Sequence, residues 1–364
     1  MKLKVFNPRL QIDVFVDWLG YSFLNEHFES SDSVNDVLEQ DDIKIACLPV
    51  FFDRYTDFKN NPFNIDKFDL ILLSDVEANN LSVVKNWIAN INIKNYLLSI
   101  GCLDNAELQE NILYRPWWSF NIVNQNSFSD VFFQNKEFDF DVLLGARRDH
   151  RDFVMAKMQT SGLISKSIVN YRSLFEGVSL NDVVLQKRIK EILQNTPLNF
   201  PYISSNLQED WEVKTPLTKD VSDQVPWQIY SKTKYSILCE TIYREPFFMT
   251  EKTGKAIFAK RLFIVFSSPL FLKNLKNLGF KTFSNVIDES YDLEFDTVER
   301  FEKAFRQIQW LADQNYESVI AEVKLILDYN HNRLLEYKKE IEAKMKSMVY
   351  NTIREKHVNS LFKK

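Results

Sequence analysis

Lys234-Tyr235-Ser236-Ile237-Leu238-Cys239-Glu240 is an apolar run closed by an acid, and a polar turn follows it. Thr250-Glu251-Lys252-Thr253 then opens a helical stretch carrying Lys255 and Ala256, and Leu262-Phe263-Ile264-Val265-Phe266 reads as the next strand. The pattern predicts strand, loop, helix and strand, with one acid and one base in the first helical turn. A helix N-terminus presents unpaired N–H groups and a partial positive charge, which suit a phosphate. Lys252 adds a point charge there, and Glu251 can accept hydrogen bonds from ribose hydroxyls. The same residues also fit a surface helix in which Thr250 and Glu251 only satisfy the helix end.

Thr250-Glu251-Lys252, with Glu240 upstream and a buried strand downstream, resembles the donor-binding segment of GT-B glycosyltransferases, notably the fucosyltransferase-like group. The resemblance implies that Glu251 holds the ribose of a nucleotide-sugar and Lys252 its diphosphate, with Thr250, Thr253 and Glu240 completing the segment. It covers about 60 residues. Where such enzymes often have a small, glycine-containing turn before the strand, this chain has Ala259-Lys260-Arg261.

A second strand-to-helix turn lies upstream. Asp139-Phe140-Asp141-Val142-Leu143-Leu144-Gly145 leads into Ala146-Arg147-Arg148-Asp149-His150-Arg151, which reads as strand, glycine turn and a helix over 149–161. Gly145 permits a tight or left-handed turn, and arginine forks suit phosphate oxygens. Arg147, Arg148 and Arg151 are either diphosphate ligands, as their position in the GT-B layout implies, or a solvated helix start paired with Asp149 and Asp152. Asp139 and Asp141 are expected on one face at a sheet edge.

Before this turn, apolar runs at 2–6, 42–50, 68–73 and 94–100 alternate with a helical stretch at 80–89, as buried parallel strands and their crossovers do. Ligands gather outside the carboxyl ends of such strands, and Asp75, Glu77 and Asp104 are expected to follow two of them. The polar segment 124–135 is the expected linker. In the tail, Val319, Val323, Ile326, Leu327, Leu334, Leu335, Tyr337 and Ile341 recur at helical spacing, and bases outnumber acids beyond Lys338. Trp117-Trp118 is either a stacking platform for a sugar or base, or a core plug; Trp227 shares the ambiguity.

The expected architecture is therefore α/β: two Rossmann-like domains facing across a cleft in the GT-B manner, with a C-terminal helical tail. The expected bounds are 1–133 on the acceptor side, 134–312 for the nucleotide-sugar and 313–364 for helices returning to the first domain. A chain of 364 residues, 45% hydrophobic, has the length and apolar content for two cores. A net charge of −5 argues against a surface that grips nucleic acid everywhere, though not against a local basic groove. The thirty Phe and seven Gly suggest an AT-rich coding sequence of the kind phages and low-GC bacteria carry. No apolar run approaches the roughly 20 residues of a membrane span, and Met1-Lys2-Leu3-Lys4 opens no signal peptide, so a cytoplasmic protein is expected. Cys47, Cys102 and Cys239 sit in or beside apolar runs, and neither they nor the four histidines show metal-ligand spacing.

The expected reaction is transfer of a sugar from a UDP- or GDP-sugar to an acceptor hydroxyl. Lys252, Arg147 and Arg148 would neutralise the leaving diphosphate, with no tightly bound metal. Asp75 is the first candidate for the base, Glu77 and Asp104 the others. The acceptor is either a surface glycan or small metabolite, or a hydroxymethylated base in phage DNA, since the layout also resembles the phage DNA glucosyltransferases. A non-catalytic nucleotide-binding protein of the same fold is a third reading.

Overall fold

The structure is a computed structural model and describes residues 3–7, 28–31, 33–40, 43–51, 65–75, 79–103, 110–127, 136–171, 180–199 and 224–361. Glu77, Asp104 and residues 128–135 of the expected linker lie outside the described residues. The chain folds as two compact units, one of residues 1–117 with 336–364 and the other of residues 118–335.

In the first unit, β1 (Leu3–Phe6), β2 (Phe28–Ser31), α1 (Val34–Leu38), β3 (Ile45–Pro49), β4 (Leu70–Asp75), α2 (Leu81–Asn90), β5 (Tyr96–Ile100) and β6 (Ile112–Tyr114) follow in order. The six strands form one parallel sheet, ordered β2-β1-β3-β4-β5-β6. Ile45 to Leu48 and Leu70 to Asp75 are buried throughout, because a parallel sheet covered on both faces has no outward positions to leave polar.

The chain passes to the second unit at the start of α3 (Trp117–Gln125). There it forms β7 (Phe138–Leu144), α4 (Asp149–Thr160), β8 (Ser167–Tyr171), α5 (Val183–Leu193), α6 (Trp227–Lys232), β9 (Thr233–Cys239), α7 (Glu251–Phe258), β10 (Phe263–Phe266), α8 (Phe271–Asn277) and α9 (Thr297–Ala312). Its four strands are parallel and ordered β10-β9-β7-β8. The last helix, α10 (Tyr316–Leu361), is 46 residues long. Of the expected stripe, Val319, Val323, Leu327, Leu334, Tyr337 and Ile341 are buried. From Glu336 onward the helix belongs to the first unit, where Met345, Met348 and Val349 line a small, partly open and mostly apolar pocket with Leu97, Leu98, Ser99 and Leu113.

Two parallel α/β units and a helical tail are thus present as expected. The aspartates of β7 are not edge residues, because β7 lies between β8 and β9. Asp141 is buried and accepts hydrogen bonds from Arg261 Nη2 (2.6 Å), Thr233 Oγ1 (2.9 Å) and Ser236 Oγ (2.9 Å). Arg261 gives its other protons to the Tyr230 and Thr233 carbonyls and the Thr233 and Ser236 hydroxyls. The departure at Ala259-Lys260-Arg261 therefore has a structural reason: Arg261 neutralises the acid in the middle of the sheet. Lys260 takes the left-handed conformation, φ 50°, that a glycine would favour at that turn. Asp139 pairs with Lys234 at 2.7 Å.

Trp117 is buried and acts as a core residue, whereas Trp227 is half-buried and packs against Phe258 with ring centroids 6.3 Å apart. All three cysteines are buried, and no helix of the described residues is long and apolar enough to cross a membrane.

Candidate nucleotide-sugar site

In the second unit β8 and β9 lie on opposite sides of β7, so the chain reverses its direction of growth between β7 and β9. A crevice opens at such a point outside the carboxyl ends of the strands. The register Val142↔Ile237 brings both strands to their ends two residues later. The two stretches singled out in the sequence, Gly145 to Arg151 and Glu240 to Thr253, therefore lie side by side.

Glu240 immediately follows β9 and is buried. Its Oε1 accepts from the Thr250 backbone N–H (3.2 Å) and the Thr253 hydroxyl (2.6 Å), and its Oε2 accepts from the Thr250 hydroxyl. Burial raises its pKa, opposed mainly by Lys252. Thr250 is the N-cap of α7, its hydroxyl accepting from the Lys252 N–H at 3.4 Å. Glu240, Thr250 and Thr253, expected among the ligand-binding residues, turn their side chains on one another and hold the helix start in place.

Glu251 and Lys252 are different: their side chains are 15% and 17% exposed and pair at 2.7 Å. Burial alone would raise the Glu251 carboxyl, but the charges of Lys252 and Lys255 and the Lys252 hydrogen bond bring it down to about 2. It is ionised and able to accept from a ribose diol. Lys252 Nζ also reaches Thr241 Oγ1 (3.2 Å) and Thr250 Oγ1 (3.3 Å).

Across the crevice the three arginines divide. Arg147 pairs with Asp152 at 2.8 Å, and Asp152 also accepts from the Tyr171 hydroxyl at 2.7 Å, so Arg147 is held by the protein itself. Arg148 donates to the Thr241 carbonyl at 2.9 Å, and its buried Nε has no hydrogen-bond partner among the described residues. Burial and then the neighbouring Arg151 lower its pKa. Arg151 is 4% exposed, donates to the Ala146 carbonyl and has no partner for its Nε among the described residues. Asp149, the remaining acid of this turn, instead accepts from the Asn181 and Asp182 N–H groups, each at 3.0 Å.

Gly145 does not adopt the left-handed turn allowed for it; its backbone has no positive φ. A Cβ there would meet the Arg151 guanidinium at 3.5 Å, an ordinary contact, so neither conformation nor space requires a glycine at this turn.

Two participants escaped the sequence reading. His150, in sequence only one of four histidines without metal-ligand spacing, is buried with Nε2 2.8 Å from the Glu240 carbonyl. Burial and then Arg151 hold its pKa well below the usual value, so the ring is neutral and Nε2 carries the proton. Its Nδ1 is then a buried acceptor with no partner among the described residues. Thr241 is the second: its carbonyl takes Arg148 and its hydroxyl takes Lys252, so both cations converge on one residue. Nothing in its residue type signals this, because the meeting depends on where β7 and β9 end.

In the first unit Asp75 is the last residue of β4 rather than a turn residue after it. It is 5% exposed, and its Oδ1 accepts from Asn79 Nδ2 at 2.9 Å.

No family model matches the chain, and no curated protein matches it. Among solved structures the chain is similar to the crystal structure of the DNA-modifying enzyme beta-glucosyltransferase, determined with and without its substrate uridine diphosphoglucose. The identity is 10% and the TM-score 0.42, over 97% of this chain and 100% of that one.

Proposed function

We propose that the chain is a glycosyltransferase that takes a sugar from a UDP- or GDP-sugar bound between β7 and α7. The observation that carries this is the meeting of Arg148 and Lys252 on Thr241, beside a helix N-terminus and the buried Arg151. Arg148 and Arg151 have no carboxylate partner among the described residues, and each has an unpaired buried Nε. Arg151 is buried and Arg148 half-buried; cations withdrawn from water are ordinarily paired, so two without a carboxylate among the described residues, beside a helix N-terminus, mark a place for an anion. A diphosphate has the charge and the oxygens to fit, and the ionised Glu251 supplies acceptors for the adjoining ribose.

Glycosyl transfer breaks the bond between the anomeric carbon and the diphosphate while the acceptor oxygen bonds to that carbon. Charge develops on the leaving phosphate, and fixed cations there lower the barrier because they need not reorganise. Arg148, Arg151 and Lys252 supply that charge, so this reading assigns no tightly bound metal. Arg147, balanced by Asp152, falls outside the role. The acceptor hydroxyl gives its proton to a carboxylate; in our reading this belongs to the first unit, with Asp75 the first choice and Glu77 and Asp104 the others.

Lys252→Ala is expected to weaken nucleoside diphosphate binding by about 1.5–3 kcal/mol, the scale of a hydrogen bond to a charged group. Calorimetry of wild type and variant with a panel of nucleoside diphosphates checks this, and equal affinities for a nucleotide that wild type binds would remove Lys252 from the site.

For the acceptor we read a hydroxymethylated base in phage DNA, for which the base-rich run from Lys338 onward is suited. Phosphate contacts release counterions, so duplex binding is expected to fall steeply as salt rises, whereas a glycan acceptor would show little dependence. Sugar incorporation into hydroxymethylated and unmodified duplexes, read by mass at two salt concentrations, separates the two; transfer to neither with every donor in the panel excludes DNA.

A further inference from the structure

We infer that Ser119 is a positioning residue of the proposed donor site and acts through Thr250; the inference rests on the nucleotide-sugar reading above. Ser119 lies in the first turn of α3, two residues after Trp117, where the chain leaves the first unit, and is fully buried. Its hydroxyl donates to the Thr250 carbonyl at 2.8 Å. That carbonyl also accepts the first intrahelical bond of α7, from the Gly254 N–H at 3.1 Å. The backbone of the N-cap is therefore fixed from outside the helix as well as from within it.

Gly254 explains how α3 comes so close. A Cβ at position 254 would lie 2.8 Å from Ser119 Cα and 2.9 Å from both Ser119 Cβ and Oγ, closer than real Cβ atoms approach. Its backbone has no positive φ, so conformation does not require a glycine there. Glycine inside a helix costs about 1 kcal/mol relative to alanine, and what it gives in return is the approach of Ser119.

The consequence reaches the ligand through Thr250, whose hydroxyl caps the Lys252 N–H, bonds to Glu240 and contacts Lys252 Nζ. A shift of Thr250 displaces the Lys252 ammonium. The helix that begins where the chain passes from one unit to the other is thus fastened to the N-terminus that holds the diphosphate.

Ser119→Ala and Gly254→Ala separate this role from plain packing. For each, affinity for uridine and guanosine diphosphates is measured by calorimetry well below the melting temperature, and thermal unfolding is followed in parallel. Ser119→Ala is expected to lose about three- to tenfold in nucleotide affinity, the upper figure being reached when binding must itself re-order the unfastened Thr250 at the full worth of one buried hydrogen bond. Its melting temperature should fall by only about 2–4 °C. Gly254→Ala should lose more, with partial recovery when combined with Ser119→Gly, which removes two of the three clashing atoms. A Ser119→Ala protein that melts lower but binds nucleotide as wild type does would show a structural role alone and overturn the proposal. Wild type binding neither nucleotide would overturn the donor-site reading and this role with it.

Discussion

Asp141→Ala is expected to cost about 3–5 kcal/mol of folding stability, because it strands a buried guanidinium in the middle of a parallel sheet. Arg261 and Asp141 have side chains 1% and 2% exposed and meet at 2.6 Å. Arg261 keeps its carbonyl and hydroxyl partners in the variant, but its charge is no longer neutralised by a contacting acid. The paired replacement Asp141→Leu with Arg261→Met removes both charges and should regain most of the loss, since buried ion pairs often exchange for apolar pairs at little net cost. Urea unfolding of the three proteins checks this. A double variant no more stable than Asp141→Ala would show that the hydroxyls and carbonyls around the pair, rather than its charge balance, set the cost.

The second large effect is at Glu240. Glu240→Ala leaves the Thr250 N–H and the Thr250 and Thr253 hydroxyls without their buried acceptor, at about 1 kcal/mol or more for each stranded donor. A loss of about 3 kcal/mol in stability is expected, and nucleotide binding should fall below detection because the start of α7 is no longer held. Glu240→Gln keeps one acceptor oxygen but sets an amide NH2 against a donor, so it should fall between the two. Denaturation and calorimetry on the same samples test both parts. A Glu240→Ala protein that binds nucleoside diphosphates as wild type does would show that the buried cluster does not position the site.

Much of this architecture is legible in local pattern. The continuous apolar runs at β3, β4, β9 and β10 announce buried parallel strands, since their side chains meet protein on both faces. The N-terminus of α7 is also readable: Thr250, Glu251 and Lys252 stand where a cap and a first turn require them, and the structure starts the helix there. The apolar repeat of α10 is readable from its spacing alone.

What the sequence left open was settled by which strand lies beside which. Arg147, Arg148 and Arg151 are alike as residues, and only the placement of Asp152 and Thr241 separates the neutralised arginine from the two that have no acid beside them among the described residues. Asp141 read as an edge residue because its partner Arg261 is 120 residues away in sequence. Ser119 meets Gly254 only once α3 and α7 pack together. Local spacing fixes an element because backbone hydrogen bonds and side-chain periodicity act over a few residues. The charge balance of a buried group depends on partners brought near by the fold, and that is a property of the tertiary structure alone.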